Sequence, residues 1–189
     1  MAVVSKVLAG ALVMSAAACG SVVEGNPVAG PQSTTTAPPA GVDAPLEEHA
    51  VDNECVLDAA EISALARVSL DDGSDTKTKR SDGSFGRSCT YYLTAGGILS
   101  FTASIKVMRP QQGAVTDAMI ARRTEPGTCI IRGIGRAVLI EGQTEYPRAW
   151  IFTDKFVATI FLVGSNLPTP PTEDRWAAAA RQIVAELPA

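Results

Sequence analysis

Five side chains in this chain offer nucleophilic, redox or metal chemistry: Cys19, Cys55, Cys89, Cys129 and the sole histidine, His49. Their placement removes most of those options. His49 sits in a proline-rich stretch ahead of the folded part, so no Ser-His-Asp, Cys-His or histidine-rich zinc site is available to a domain. Glu141, Glu145 and Asp154 are near enough in sequence to make a glycosidase-type carboxylate pair, although charges at hairpin ends account for them as well. Arg122 and Arg123 are placed to clamp an anion or to form the polar face of a helix. The inventory therefore predicts no catalytic residues, no metal and no cofactor, and a protein that is not an enzyme.

The first cysteine has a different chemistry. Lys6 is the one charged side chain of residues 1–18, and the run "VLAGALVMSAAA" from Val7 to Ala18 is apolar or small. A short positive region, an apolar stretch and a small-residue cleavage zone make residues 1–18 an export signal. Gly20, Ser21 and Glu24 close the run well short of the roughly 20 apolar residues that a spanning helix needs. Ala16, Ala17 and Ala18 before Cys19, with Gly20 and Ser21 after it, resemble the lipobox of bacterial lipoproteins, although Ala16 stands where that motif usually has Leu. The resemblance implies that Cys19 carries diacylglycerol, anchoring the chain to the outer face of the cell membrane. Ala16-x-Ala18 also fits ordinary signal cleavage, which would leave a soluble exported protein with Cys19 in a disulfide.

Residues 19–52 read as a tether. Pro27, Pro31, Pro38, Pro39 and Pro45, the run "STTT" and few large apolar groups cannot offset the entropy of ordering. A coil of about 32 residues spans roughly 30 Å on average, enough to lift a domain off the bilayer. Thr34, Thr35 and Thr36 beside Pro38 make an acceptor site for O-linked sugar, or a plain solvated spacer.

Residues 53–189 are predicted to form a single domain. Loss of Lys6 with the signal leaves 15 of the 16 basic residues against 20 acidic ones, a net charge of about −5. That balance argues against nucleic acid as a partner. Lys77, Lys79 and Arg80 lie among Asp71, Asp72, Asp75 and Asp82 and read as a solvated loop over 71–88.

The elements that must position these groups follow from pattern. Asp58 with Glu61 makes a capping box, and Leu57 with Ile62 a hydrophobic staple, predicting a helix over 59–68. "CTYYL" and "LSFTASIKV" predict a hairpin of alternating strands, broken by Pro110. Ala114, Val115, Ala118, Met119 and Arg122 predict a second helix. "CIIR", "AVLIE", "RAWIFT" and "KFVATIFLV" predict further strands, the last central and covered on both faces. Thr172 caps a closing helix whose stripe is Trp176, Ala180, Ile183, Val184 and Leu187. The order α-β-β-α-β-β-β-β-α predicts an α+β class, helices packed on a mainly antiparallel sheet of about five to six strands.

Cys55 opening an acidic-capped helix, Cys89 leading "CTYY", the "GIGRAV" turn and the closing "AAAARQIVAELP" together resemble the actinobacterial Lpp/Lpr-type lipoproteins grouped under a domain of unknown function. The resemblance implies an extracytoplasmic domain with a Cys55–Cys89 disulfide, and no activity. "GIGRAV" lacks the third glycine of a nucleotide fingerprint, with Val138 in its place. An oxidising compartment leaves Cys55, Cys89 and Cys129 seeking partners, and Cys89–Cys129 competes with Cys55–Cys89. Under the latter pairing Cys129 is a buried inert thiol or one that joins another chain. Two functions from different classes then remain. One is a tethered binding module of the envelope anchored on exposed aromatics such as Tyr92 or Trp150. The other is a carrier of an apolar envelope lipid between helices and sheet, lined by Phe156, Phe161, Trp176 and Ile183.

Overall fold

The computed structural model describes residues 45–94, 102–142, 146–164 and 169–188. Cys19, Thr34, Thr35, Thr36 and Glu145, with the signal segment 1–18, lie outside the described residues. The described chain forms, in order, β1 (Leu46–Glu48), α1 (Ala59–Ala66), β2 (Ser74–Lys79), β3 (Phe85–Tyr92), β4 (Thr102–Pro110) and α2 (Asp117–Arg123). Then come β5 (Cys129–Ile131), β6 (Ala137–Glu141), β7 (Arg148–Phe152), β8 (Val157–Val163) and α3 (Glu173–Glu186). All strands join one antiparallel sheet in the order β2-β3-β4-β8-β7-β6-β5, with β1 paired to β4.

The expected α+β arrangement of helices on five to six strands is thereby corrected: the fold is dominated by an eight-stranded antiparallel sheet, accompanied by three short helices. Two strands lie in stretches that carry no apolar alternation. β2, "SDTKTK", is exposed along almost its whole length and lies at the sheet edge, so nothing in its sequence marks a buried face. Its pairing with β3 turns the expected polar loop into a hairpin, whose turn places Gly83 at φ 85°. β1 falls within 19–52, so ordered structure begins ahead of residue 53. Leu46–Glu48 pair with Met108–Pro110, and the ion pairs Glu47–Arg109 (2.8 Å) and Glu48–Lys106 (3.0 Å) occupy charges that composition reads as solvated. β4 also runs through Pro110, which is its last residue, where a missing donor is tolerated.

Elsewhere the pattern is realised locally. Asp58 Oδ1 accepts from Glu61 N at 2.7 Å while Asp58 N donates to Glu61 Oε2 at 2.9 Å, closing the capping box. Arg67 ends α1 in the left-handed region at φ 58°. Helices α1 and α3 pack on one another and on the first face of the sheet, where Ile62, Leu65, Trp176, Ala180 and Ile183 meet Cys89, Tyr91, Ile105, Ile140, Ile151 and Ile160. The Tyr91 hydroxyl donates to Leu57 O at 2.6 Å, and burial pushes its pKa up to about 12. β8 is central, between β4 and β7, as its bulky sequence predicts. Its second face is covered only at Val157, since Thr159, Phe161 and Val163 are half-buried.

Candidate functional site: the second face of the sheet

Strand register sorts the side chains of the second face into rows. Met108, Val157, Phe152 and Ala137 form one, and Lys106, Thr159, Trp150, Leu139 and Ile130 the next. Beyond them run Thr90, Ser104, Phe161, Arg148 and Glu141, and finally Tyr92, Thr102 and Val163. Helix α2 covers the first row: Val115 and Ile120 join Met108, Leu139, Phe152 and Val157 in a second, smaller core. No described element covers the last two rows. Among the described residues these two rows are mostly half-buried, with Tyr92 exposed and Glu141 buried, and they carry aromatic and charged groups.

The open half has fixed geometry. Glu141, buried at the end of β6, accepts from Arg148 Nε at 2.5 Å and from Trp150 Nε1 at 3.4 Å. The Arg123 guanidinium, at the last turn of α2, lies 4.1 Å from the centroid of the Trp150 ring. Both flat groups are therefore held in place, with the Arg148 side chain still 44% exposed. A rigid Trp–Arg pair beside half-exposed Phe161 is the composition of an anchoring patch in a protein interface. Of the aromatics expected to be exposed anchors, Trp150 is half-buried at the border of this patch, packed against the second core and under Arg123, whereas Tyr92, 37% exposed, lies in its last row.

The other expected sites separate. Glu141 is level with Arg148 at one end of the β6–β7 pair and Asp154 follows Phe152 at the other, some six residues or about 20 Å of chain away, too far for a glycosidase pair. Asp154 instead approaches Arg136 at 3.5 Å from the β7–β8 turn. Phe156, Trp176 and Ile183 are built into the packed core under α1 and α3, whereas Phe161 is on the opposite face, so the four do not line one cavity. Gly135 of "GIGRAV" serves the fold, because at φ 53° a Cβ would stand 2.4 Å from Phe152 O and only glycine lets the turn meet β7.

The cysteines divide into a pair and a single thiol. Cys55 and Cys89 form a disulfide, with Cα atoms 4.9 Å apart. Gly73 packs on it so closely that a Cβ there would lie 2.3 Å from Cys89 Sγ and 2.6 Å from the Tyr91 ring. Cys129 is buried in β5, its thiol donating to Glu173 Oε2 at 3.9 Å.

One buried acid escaped the sequence reading altogether. β3 pairs β4 as far as Ile105 and β1 resumes at Met108, leaving a gap in that edge of β4. The carboxylate of Glu54 fills the gap by accepting from Val107 N, while its Oε1 is buried without a hydrogen-bond partner. Burial pushes its pKa from the ordinary 4.5 up to about 7, the Val107 bond and nearby Arg87 and Lys106 only partly opposing it. Arg87 binds Asp75 and the carbonyls of Val51 and Asp52, fastening the same segment to the β2–β3 hairpin. A glutamate beside a cysteine gives no sequence signal for such a role.

No family model matches the chain, and neither a curated protein nor a solved structure matches it.

Proposed function

We propose that this protein is a non-catalytic binding module of the cell envelope, an extracytoplasmic lipoprotein of the actinobacterial Lpp/Lpr type held to the outer face of the membrane by diacylglyceryl-Cys19. The export signal and the small residues before Cys19 support the anchor, and the proline-rich stretch that follows supports a tethered mode of action. One observation carries the binding role. The second sheet face is left open over its Phe161–Arg148 row, with Trp150 clamped between Arg123 and Glu141 at its border. Arg123, Arg148 and Lys106 outnumber Glu48 and Glu141 on that face, whereas the chain as a whole is acidic, so the partner surface it fits is an envelope protein presenting carboxylates around an apolar centre.

The test is photocrosslinking in intact cells. The full chain carries a benzophenone amino acid in place of Thr159, half-buried in the face, or in place of Ala60, exposed on α1. The proposal expects a protein adduct of one defined mass from position 159 and none from position 60. Equal adducts from both positions, none from either, or lipid in place of protein would overturn it.

A further inference from the structure

A cleft of about 440 Å³ opens on the other side of α2, against the β5–β6 edge. This lies within the range of about 300–1,000 Å³ typical of small-ligand sites. Its walls are mostly apolar, formed by Ile120 and Ala121 of α2, Ile130 of β5 and Ala137 of β6, with Thr124 and the carboxylate of Asp117 as the polar groups on the helix side. Its rim is cationic, formed by Arg132 and Arg136 from the turn between β5 and β6. Helix α2 has no fully buried residue, and Ile130, at 38% exposure, is among the few large apolar side chains left in water. Ala137 and part of Ile120 belong to the second core, so the apolar surface the cleft keeps in water is mainly that of Ile130.

The arginines are suited to a negative group. Arg132 is exposed and makes no ion pair among the described residues. Arg136 is held by Asp117 at 2.6 Å and Asp154 at 3.5 Å, but those carboxylate side chains are 92% and 84% exposed. Pairs so open to water contribute little, and an anion whose apolar body is buried alongside can displace them. Guanidinium groups match carboxylate and phosphate oxygens in two-point geometry.

We propose that this cleft binds an organic anion, with a carboxylate or phosphate monoester group on Arg132 and Arg136 and a short apolar body against Ile120, Ala121 and Ile130. It uses residues different from those of the open sheet face, and stands whether or not a protein docks there.

The full chain with Cys19→Ser, prepared without detergent, allows a direct test by calorimetric titration and amide NMR shifts. Octanoate and octyl phosphate are expected to bind saturably and to move the amides of Ile120, Ile130 and Arg132; the tighter of the two identifies the natural head group. Octylammonium, acetate and inorganic phosphate, each lacking one half of the recognised chemistry, are expected to bind at least about tenfold more weakly. Arg132→Glu should weaken octanoate about tenfold, Arg132→Lys less, and Arg181→Glu on α3 not at all. Both arginines are exposed, so the variants should fold, and unchanged fluorescence of Trp150 and Trp176 checks that. The proposal is overturned by octylammonium binding as well as octanoate, by indifference to Arg132→Glu, by shifts confined to residues away from the cleft, or by no saturable binding.

Discussion

Glu54 shows how a single side chain can complete a sheet. β1 and β3 share one side of β4, and between them Val107 N–H has no strand partner; a carboxylate from the connecting segment accepts its hydrogen bond instead. The arrangement has a pH signature. The folded pKa, about 7, lies above the ordinary 4.5, so between those values the native state keeps a proton that the unfolded chain has released. Stability from this group is thus fully present below about pH 4.5 and is lost as pH rises through about 7. Glu47, Glu48 and Asp82 act oppositely: Arg109 holds the Glu47 carboxyl down, Arg80 and Lys106 outweigh burial at Glu48, and the Ser84 hydroxyl and amide hold down Asp82. Their contribution is lost as pH falls below the ordinary carboxylate range. Urea denaturation of wild type and Glu54→Gln from pH 4.5 to 8 separates these effects. Wild type should weaken across that interval, the difference between the two proteins should carry the slope, and parallel curves would show that Glu54 is not protonated in the native state.

At the scale of elements, legibility followed the contrast between buried and exposed faces. β4, β6, β7, β8, α1 and α3 each bury one face or more, and their patterns were readable because apolar side chains recur where the core is. β1 and β2 were not, since they are held by backbone pairing and ion pairs and bury almost nothing. Missing them changed the architecture from helices on a modest sheet to a sheet-dominated fold. Trp150 was expected to be an exposed aromatic, but it is half-buried, because its clamp by Arg123 and Glu141 depends on α2 crossing the sheet there, which no local spacing encodes. The Cys55–Cys89 bridge links the segment before α1 to β3 across a sequence separation of 34. Closing a loop of that size is worth about 3–4 kcal/mol in the chain-entropy account. A Cys55→Ser/Cys89→Ala double variant should lose about that much stability in denaturant titration; an unchanged midpoint would mean that Glu54, Arg87 and the α1 packing hold the segment without it.

The whole molecule divides its labour between the two faces of one sheet. The first is sealed by α1 and α3 and supplies the main core, including the Cys55–Cys89 bridge. The second is only partly closed by α2, with the Trp150–Arg148 patch on one side of that helix and the Arg-rimmed cleft on the other. A chain anchored through Cys19 would hold that face within reach of the envelope on a tether of roughly 30 Å. Hydroxyl-radical footprinting of the full chain in native membranes, compared with the same chain purified away from them, measures directly whether the face is occupied where the protein works. The account predicts that Trp150 and Phe161 are protected in membranes and oxidised after purification, while Phe85, 46% exposed at the β2–β3 turn end of β3 and on the other face, reacts equally in both. Equal oxidation of Trp150 and Phe161 in the two preparations would contradict it.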